Sequence, residues 1–404
     1  MALGSSKTKA FDSHKMVYTA LAWYGYWELQ SESRRAKYVH AIYRVFILSY
    51  VIWYNTVQIY NAVTSFVDVD KSVQWPGVDL VLTDLAFVIK LSCFMINTKK
   101  LKAINDQIKG PMFHADTRQD EKFIMENYIT YRKIFKIINI CMTFSVVGWL
   151  SYRNFQAWTG RLHAMPELYF SINFDSKLSL AKAIAVQSMR SIWTGFGHVT
   201  LDLLIFSYYL QAVHQLRLIK HNMKHLFDSD NTTRQRRYSG RFQYLDETCA
   251  DIKTRFVYYI RRHQNIVGLI NNVNDIFGFG IATHIFFMTF GICFAIYDAS
   301  AAGIYDPAAA YWGIILLFHL GQTCFFCYFG SLLESESDTL STSVYSSNWT
   351  EVSPKFRRMI VITICNWQTP ITVKLCGLLP LSLNTFVSMC RLAYSMFAML
   401  LSVK

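Results

Sequence analysis

The sequence predicts an all-α membrane protein: one domain over residues 1–404, built of seven transmembrane helices, with a cytosolic N-terminus and an extracellular C-terminus. Three observations predict it. The chain is 52% hydrophobic and 16% aromatic but only 17% charged, where a soluble domain carries about 25% charged residues. The uncharged residues gather in stretches of roughly 20, the helix length a bilayer needs because lipid offers the backbone no hydrogen-bond partner. Lys and Arg concentrate in alternate connections, as cytosolic loops require.

The first span is expected at residues 41–66, the second from Trp75-Pro76 to Asn97, the third at 134–155 and the fourth at 191–213. The fifth is expected at 275–297 and the sixth at 307–333. The last apolar region is split, with 359–375 followed by the breaker Gly377-Leu378-Leu379-Pro380 and then 381–403. Pro76, Pro307 and Pro354 stand where helices should begin, because proline is tolerated in a first helical turn. The N-terminal stretch, with Lys7, Lys9 and Lys15 before an interrupted aromatic run, lacks the apolar core of a signal peptide.

Orientation follows from the loops. Lys7 to Lys37 precede the first span, Lys99 to Lys133 fill the second connection, Arg217 to Arg262 fill the fourth, and Lys355, Arg357 and Arg358 end the sixth. The intervening connections are poor in basic residues; the fifth holds only Asp298 and Asp306. The net charge of +13 reads as this bias, and no nucleic-acid partner is expected. In the fourth connection Phe242, Leu245, Cys249, Ile252, Phe256, Tyr259, His263, Ile266 and Ile270 form one apolar stripe, and Leu216, Ile219, Met223 and Leu226 form another. Helices are therefore expected to project below the membrane, packing on each other, on partner subunits or within the chain. These extensions, around 214–274 and 334–358, are assigned to an anchor or assembly region.

No catalytic or metal-ligating constellation stands out, so neither enzymatic activity nor a cofactor is expected. Cys324 and Cys327 form a CxxC without a second pair. The sequons at Asn231 and Asn348 fall on the cytosolic side and read as chance. Ionisable residues inside spans are functional candidates because lipid disfavours them: Asp84, Lys90, His198, Asp202, His284, His319 and Arg391.

The C-terminus carries the sharpest signal. It reads Leu381-Ser382-Leu383-Asn384-Thr385-Phe386-Val387-Ser388 and then Tyr394-Ser395-Met396-Phe397. This resembles the closing signature of insect odorant receptors, a Thr-Phe pair followed by a Tyr-Ser pair on the final helix. The segment from Glu336-Ser337 to Asn348-Trp349 resembles that family's stretch after the sixth span. Gustatory receptors and the odorant co-receptor carry Gln six residues after the final Tyr, where Leu400 stands here. The large cytosolic insertion of the co-receptor is also missing, so the chain resembles an odour-tuning subunit.

The resemblance implies an odorant-gated, non-selective cation channel subunit. It would assemble with the odorant co-receptor as a heterotetramer in the plasma membrane of olfactory sensory neuron dendrites, among membrane lipids. The alternatives are a gustatory-type channel and a G-protein-coupled receptor, the latter with its N-terminus outside. The family's ligand pocket maps here onto Val81, Leu82 and Leu85; Phe144, Gly148, Ser151 and Tyr152; Thr194, Phe196, His198 and Val199; and Tyr311, Trp312 and Ile315. The site is mostly apolar or aromatic, with His198 or Thr194 expected to offer one oriented hydrogen bond. A volatile of about a dozen heavy atoms at roughly 0.6–0.7 kcal/mol each would bind at about −8 kcal/mol, which is micromolar. On the final helix the resemblance puts the gate at Phe397, with Leu400 and Lys404 continuing that face. A rival polar face, Ser388, Arg391, Ser395, Met399 and Ser402, leaves the helix rotation open.

The expected topology predicts that, in intact cells, antibody labels a C-terminal epitope and reaches an N-terminal epitope only after permeabilisation; the opposite pattern overturns it.

Overall fold

The computed structural model describes residues 14–29, 31–67, 78–114, 118–158, 182, 185–186, 188–227, 243–301 and 307–402. A short helix α1 (residues 14–23) leads to α2 (Arg34–Val67), α3 (Val78–Ile96), α4 (Thr98–Ile108) and α5 (Arg118–Trp158). A π-helical turn, Ser191–Gly195, opens α6 (Phe196–Lys224), and α7 (Gln243–Ala301) and α8 (Pro307–Tyr345) follow. The last expected span is split, as α9 (Pro354–Trp367) and α10 (Leu383–Ser402). Pro307 and Pro354 open their helices, whereas Pro76 lies outside the described residues.

The helices outrun the expected spans because polar residues on either side continue them. The 59-residue α7 is about 88 Å long at 1.5 Å per residue, nearly three bilayer cores. On α7 the stripe residues Phe256, Tyr259, Ile266 and Ile270 are buried. Phe256 meets Phe356 edge-on at 5.4 Å, and His263 lies 5.0 Å from Trp367. This stripe therefore packs on α9 of its own chain. Burial pushes the His263 pKa down to about 4, so the ring stays neutral there.

Segments within α7, α8 and α10 are long and apolar enough by composition to cross a membrane. The shorter α3 contains Asp79, Asp84 and Lys90, and α6 is rich in hydroxyl and amide groups. Both keep those groups inside the bundle, where Asp79, Asp84 and Lys90 are buried.

The centre of the bundle is α6, against which α5, α7 and α8 pack. Leu203, Leu204 and Ile205 are consecutive and fully buried, so no side of this helix faces solvent or lipid. Its polar side chains then need partners from every direction. Tyr208 bonds to Tyr18 of α1 at 2.7 Å and to Asn105 of α4 at 3.1 Å. Gln211 accepts from Asn127 of α5 at 2.7 Å, and Gln215 accepts from Arg262 of α7 at 2.9 Å. Near the C-terminal end of α6, Arg217 and Lys220 grip Glu336 of α8 at 2.7 and 2.6 Å. Burial alone would raise the Glu336 pKa, but the hydrogen bonds and charges of Lys220 and Arg217 hold it below its ordinary value.

Where the last span splits, Cys376 (φ 52°) and Gly377 (φ 74°) turn the chain between β1 (Lys374–Leu375) and β2 (Leu379–Pro380). These two-residue strands pair antiparallel, Leu375 opposite Leu379. They interrupt a fold expected to be helical throughout, because two left-handed residues in succession cannot continue a helix. The hairpin is bound to its neighbours by Asn274 donating to the Lys374 carbonyl at 3.1 Å and Ser331 accepting from the Leu383 amide at 2.9 Å. Gly330 of α8 touches this junction so closely that a methyl group there would collide with the Leu381 carbonyl.

Gly330→Ala should therefore push α10 off α8 and destabilise the protein by about 1–3 kcal/mol, seen as a lower melting temperature in detergent; an unchanged melting curve would show that the junction has room.

Candidate functional site

The ionisable residues singled out in the spans do not scatter over the bundle. Most of them converge at mid-depth, where α3, α6, α7 and α8 meet. Asp202 of α6 is the hub. It accepts hydrogen bonds from Lys90 of α3 and Gln322 of α8 on its two oxygens. One turn back on the same helix, His198 Nε2 lies 3.7 Å from Asp202 Oδ2. The His198 ring stacks on Phe87 at 5.7 Å and meets His284 of α7 edge-on at 5.3 Å. The Lys90 ammonium also lies over the Phe326 ring at 5.4 Å, and Gly280 of α7 leaves room for its stem. His319 joins at the side, 3.3 Å from the Thr83 hydroxyl. Lys90, Asp202, His198, His284 and His319 are all buried.

A second charged link lies closer to the outer ends of the helices. Arg190, just before the π-helical turn, holds Asp84 of α3 through two hydrogen bonds of 2.8 Å. Planar donor and carboxylate match, which fixes the entry of α6 against α3. Beside it, Tyr26 donates to the Trp193 carbonyl at 2.9 Å and Trp193 donates to the Tyr43 hydroxyl at 3.0 Å. Gly197 admits Tyr26 at contact distance, with no space left for a side chain. Arg391 stays apart from both clusters, exposed on α10.

The expected ligand-contacting residues separate into groups. Val81, Leu82 and Leu85 of α3 are half-buried, and Thr194, His198, Val199 and Tyr311 are buried. Trp312 lies 5.0 Å from Tyr311, and Ile315 is half-buried a turn further on α8. The Thr194 hydroxyl is buried without a hydrogen-bond partner. Phe196 instead turns toward the N-terminal segment and stacks on Tyr24 at 6.2 Å. His198 presents Nε2 to Asp202, so its polar edge belongs to the charged hub.

On α5 the structure departs from the expectation. Phe144 is 76% exposed, Ser151 is exposed, and Gly148 has open space where a side chain would start. The buried face of α5 carries Tyr131, Ile138 and Met142, with Met142 against Gly195. Phe144 is two residues from Met142, or about 200° around the helix, so the face chosen from sequence points away from the bundle. Of Tyr152 only the helical backbone is described, and Lys404 lies outside the described residues.

The α10 geometry is equally specific. Met389 and Ala393 are its buried residues, and Met396, Phe397 and Leu400 continue that stripe against Ile292, Ile296, Leu316 and Leu320 of α7 and α8. The rival residues Ser388, Arg391, Ser395, Met399 and Ser402 are all exposed, on the opposite side of the helix, about 160–240° round from Ala393 at 100° per residue.

Two residues of these clusters, Arg190 and Gln322, had not been singled out in the sequence. Arg190 sits one position before the expected fourth span, and Gln322 is a polar residue in an otherwise apolar run. Each is an unmatched polar group next to a carboxylate that needs one, a signal that exists only once the helices are paired.

Comparison with known proteins agrees with this arrangement. The 7tm odorant receptor family profile matches residues 78–394. Odorant receptor 85c of Drosophila melanogaster is 24% identical over 79% of this chain and 81% of that protein. The odorant receptor coreceptor of Ooceraea biroi is 28% identical, but over only 38% of this chain and 32% of that protein. The olfactory receptor OR5 of Machilis hrabei, solved in complex with eugenol, superposes with a TM-score of 0.78 at 14% identity, covering 97% of this chain and 98% of that one. The sequence match thus covers about four fifths of both chains with an odorant receptor and is partial with a coreceptor. Since the profile takes in everything from α3 to the motif tyrosine of α10, the chain belongs to the insect odorant receptor family, as a tuning receptor.

Proposed function

We propose that this chain is the odorant-binding subunit of a ligand-gated, non-selective cation channel, with a co-receptor of the family as partner. The family profile carries the reading, because it covers both the outer helices and the pore-forming α10. OR5 of Machilis hrabei is a eugenol-binding member with the same fold. The proposed setting is the plasma membrane of olfactory neuron dendrites, with the N-terminus inside and seven spans. Co-expression with a co-receptor should produce volatile-evoked cation currents; surface-expressed protein that is silent to a broad volatile panel in that assembly overturns the reading.

The proposed ligand site lies above the charged hub, between α3, α6 and α8. Val81, Leu82, Leu85, Val199, Tyr311, Trp312 and Ile315 supply apolar and aromatic wall. Thr194 is the polar handle in place of His198, since its hydroxyl is buried and unengaged while His198 faces Asp202. Met142 takes the α5 position that Phe144 was expected to fill. The pore face of α10 is proposed to be Ser388, Arg391, Ser395, Met399 and Ser402. A polar stripe on a membrane helix needs water, and this stripe stands free on the side opposite α7 and α8. Phe397 and Leu400 then hold α10 to its own subunit.

Two outcomes follow. Thr194→Val should raise the half-maximal concentration of oxygenated volatiles by roughly three- to tenfold, the worth of one neutral hydrogen bond, and leave a hydrocarbon of the same shape within about twofold; equal shifts would reduce Thr194 to packing. Ser395→Cys should make currents sensitive to a charged thiol reagent while Phe397→Cys should not, and the reverse pattern would return the pore to the Phe397 face.

A further inference from the structure

His284 is fully buried, and neither of its ring nitrogens has a hydrogen-bond partner. His198 Nε2 is likewise buried and unpartnered, with its nearest carboxylate oxygen at 3.7 Å. A buried polar atom without a partner loses the hydrogen bonds it made with water, so such atoms call for an explanation, and here they come together. One ligand atom from each of His198, Asp202 and His284 lies within 4.8 Å of the others. Two imidazoles and a carboxylate are the donor set of many zinc sites. Around Zn(II), nitrogen and oxygen donors at about 2.1 Å sit roughly 3.4 Å apart in a tetrahedron. The observed spacing, at most 4.8 Å, exceeds this by no more than about 1.4 Å, within reach of side-chain rotation.

A fourth ligand is at hand. Gln322 now donates its amide nitrogen to Asp202 Oδ2, and its Oε1 is buried and unpartnered. Turned over, the amide offers that oxygen beside the same carboxylate. We infer that His198, Asp202 and His284, with Gln322 as a fourth donor, form a divalent transition-metal site of the Zn(II) class that ties α6 to α7 beneath the ligand pocket. Lys90 is the opposing element. Its ammonium sits on Asp202 Oδ1, repels an incoming cation and keeps the carboxylate paired when no metal is bound. Metal and lysine therefore compete for one carboxylate, and removing the lysine charge should tighten metal binding.

The test uses the full-length protein purified in its membrane assembly, equilibrated with Zn(II), with metal content and affinity measured in the absence of any odorant. It is therefore independent of whether the odorant reading succeeds. Wild type should bind one Zn(II) per copy of this chain above the background of the assembly. His198→Gln and His284→Gln should each weaken that binding by about 100-fold or more, beyond the 10–100-fold typical of outer-shell changes. Lys90→Met should strengthen it by on the order of tenfold or more. His221→Gln, which alters the surface pair His221 and His225 with rings 4.9 Å apart, should leave it unchanged. Should the core variants fail to fold, Co(II) exchanged into wild type must show the visible absorption of a four-coordinate nitrogen and oxygen site. Zinc that follows His221, zinc indifferent to His198 and His284, or no bound metal in wild type overturns the inference and leaves a bridging water as the partner of these histidines.

Discussion

The burial of α6 on every side is the constraint from which the rest of this structure follows. A helix with lipid or solvent on one face can leave its polar groups there. One enclosed all round must find a partner for each, since an unmade hydrogen bond in a low-dielectric interior is expensive. The neighbours of α6 are accordingly placed by its polar residues: α1 and α4 by Tyr208, α5 by Gln211, α7 by Gln215, and α3 and α8 by Asp202. Asp202 carries the most. Removing one partner from a buried ion pair typically costs about 3–5 kcal/mol, so Lys90 and Asp202 are held as a unit even though neither suits a membrane alone.

This arrangement joins the two ends of the molecule through one rigid element. At its N-terminal end α6 is preceded by Thr194, the π-helical turn and the Arg190–Asp84 link. Near its C-terminal end it carries Arg217 and Lys220, clamped to Glu336. Between them the Asp202 hub reaches α8, and α8 in turn contacts the junction before α10 at Gly330 and Ser331. A shift of α6 against α3 thus has a continuous packed route to α10. Packed helices of this kind move as bodies, because a close-packed interior does not deform smoothly.

The final helix shows the same economy in reverse. Within the chain α10 packs through Met389, Ala393, Met396, Phe397 and Leu400, with Phe386 against the main core, while the polar stripe on its other side is exposed. Phe397 is large and apolar, and in the sequence it competes well for the role of gate. Its packing against α7 and α8 is the observation against that role.

Much of the fold was legible in the residues alone. Apolar run lengths, loop charges, Pro307 and Pro354 at helix starts and the Gly377 break are local properties, and each registers in the chain without reference to any neighbour. The final-helix motif pointed to the family for the same reason. Helix rotation was not legible, because periodicity says that a face exists and leaves its partner unnamed; on α5 the residues Phe144, Gly148 and Ser151 share a face, yet Met142 is the one turned inward. The meeting of Lys90, Asp202, His284 and Gln322 was equally hidden, since these residues lie on four helices and are joined only by how the helices pack. By itself the sequence determined where the long apolar helices lie and which family they form, for those follow from the chain's own hydrophobicity and order. Tertiary structure alone decided which polar groups meet and which faces remain open, because both depend on the rotation of one helix against another, and that is settled by the sum of all their contacts.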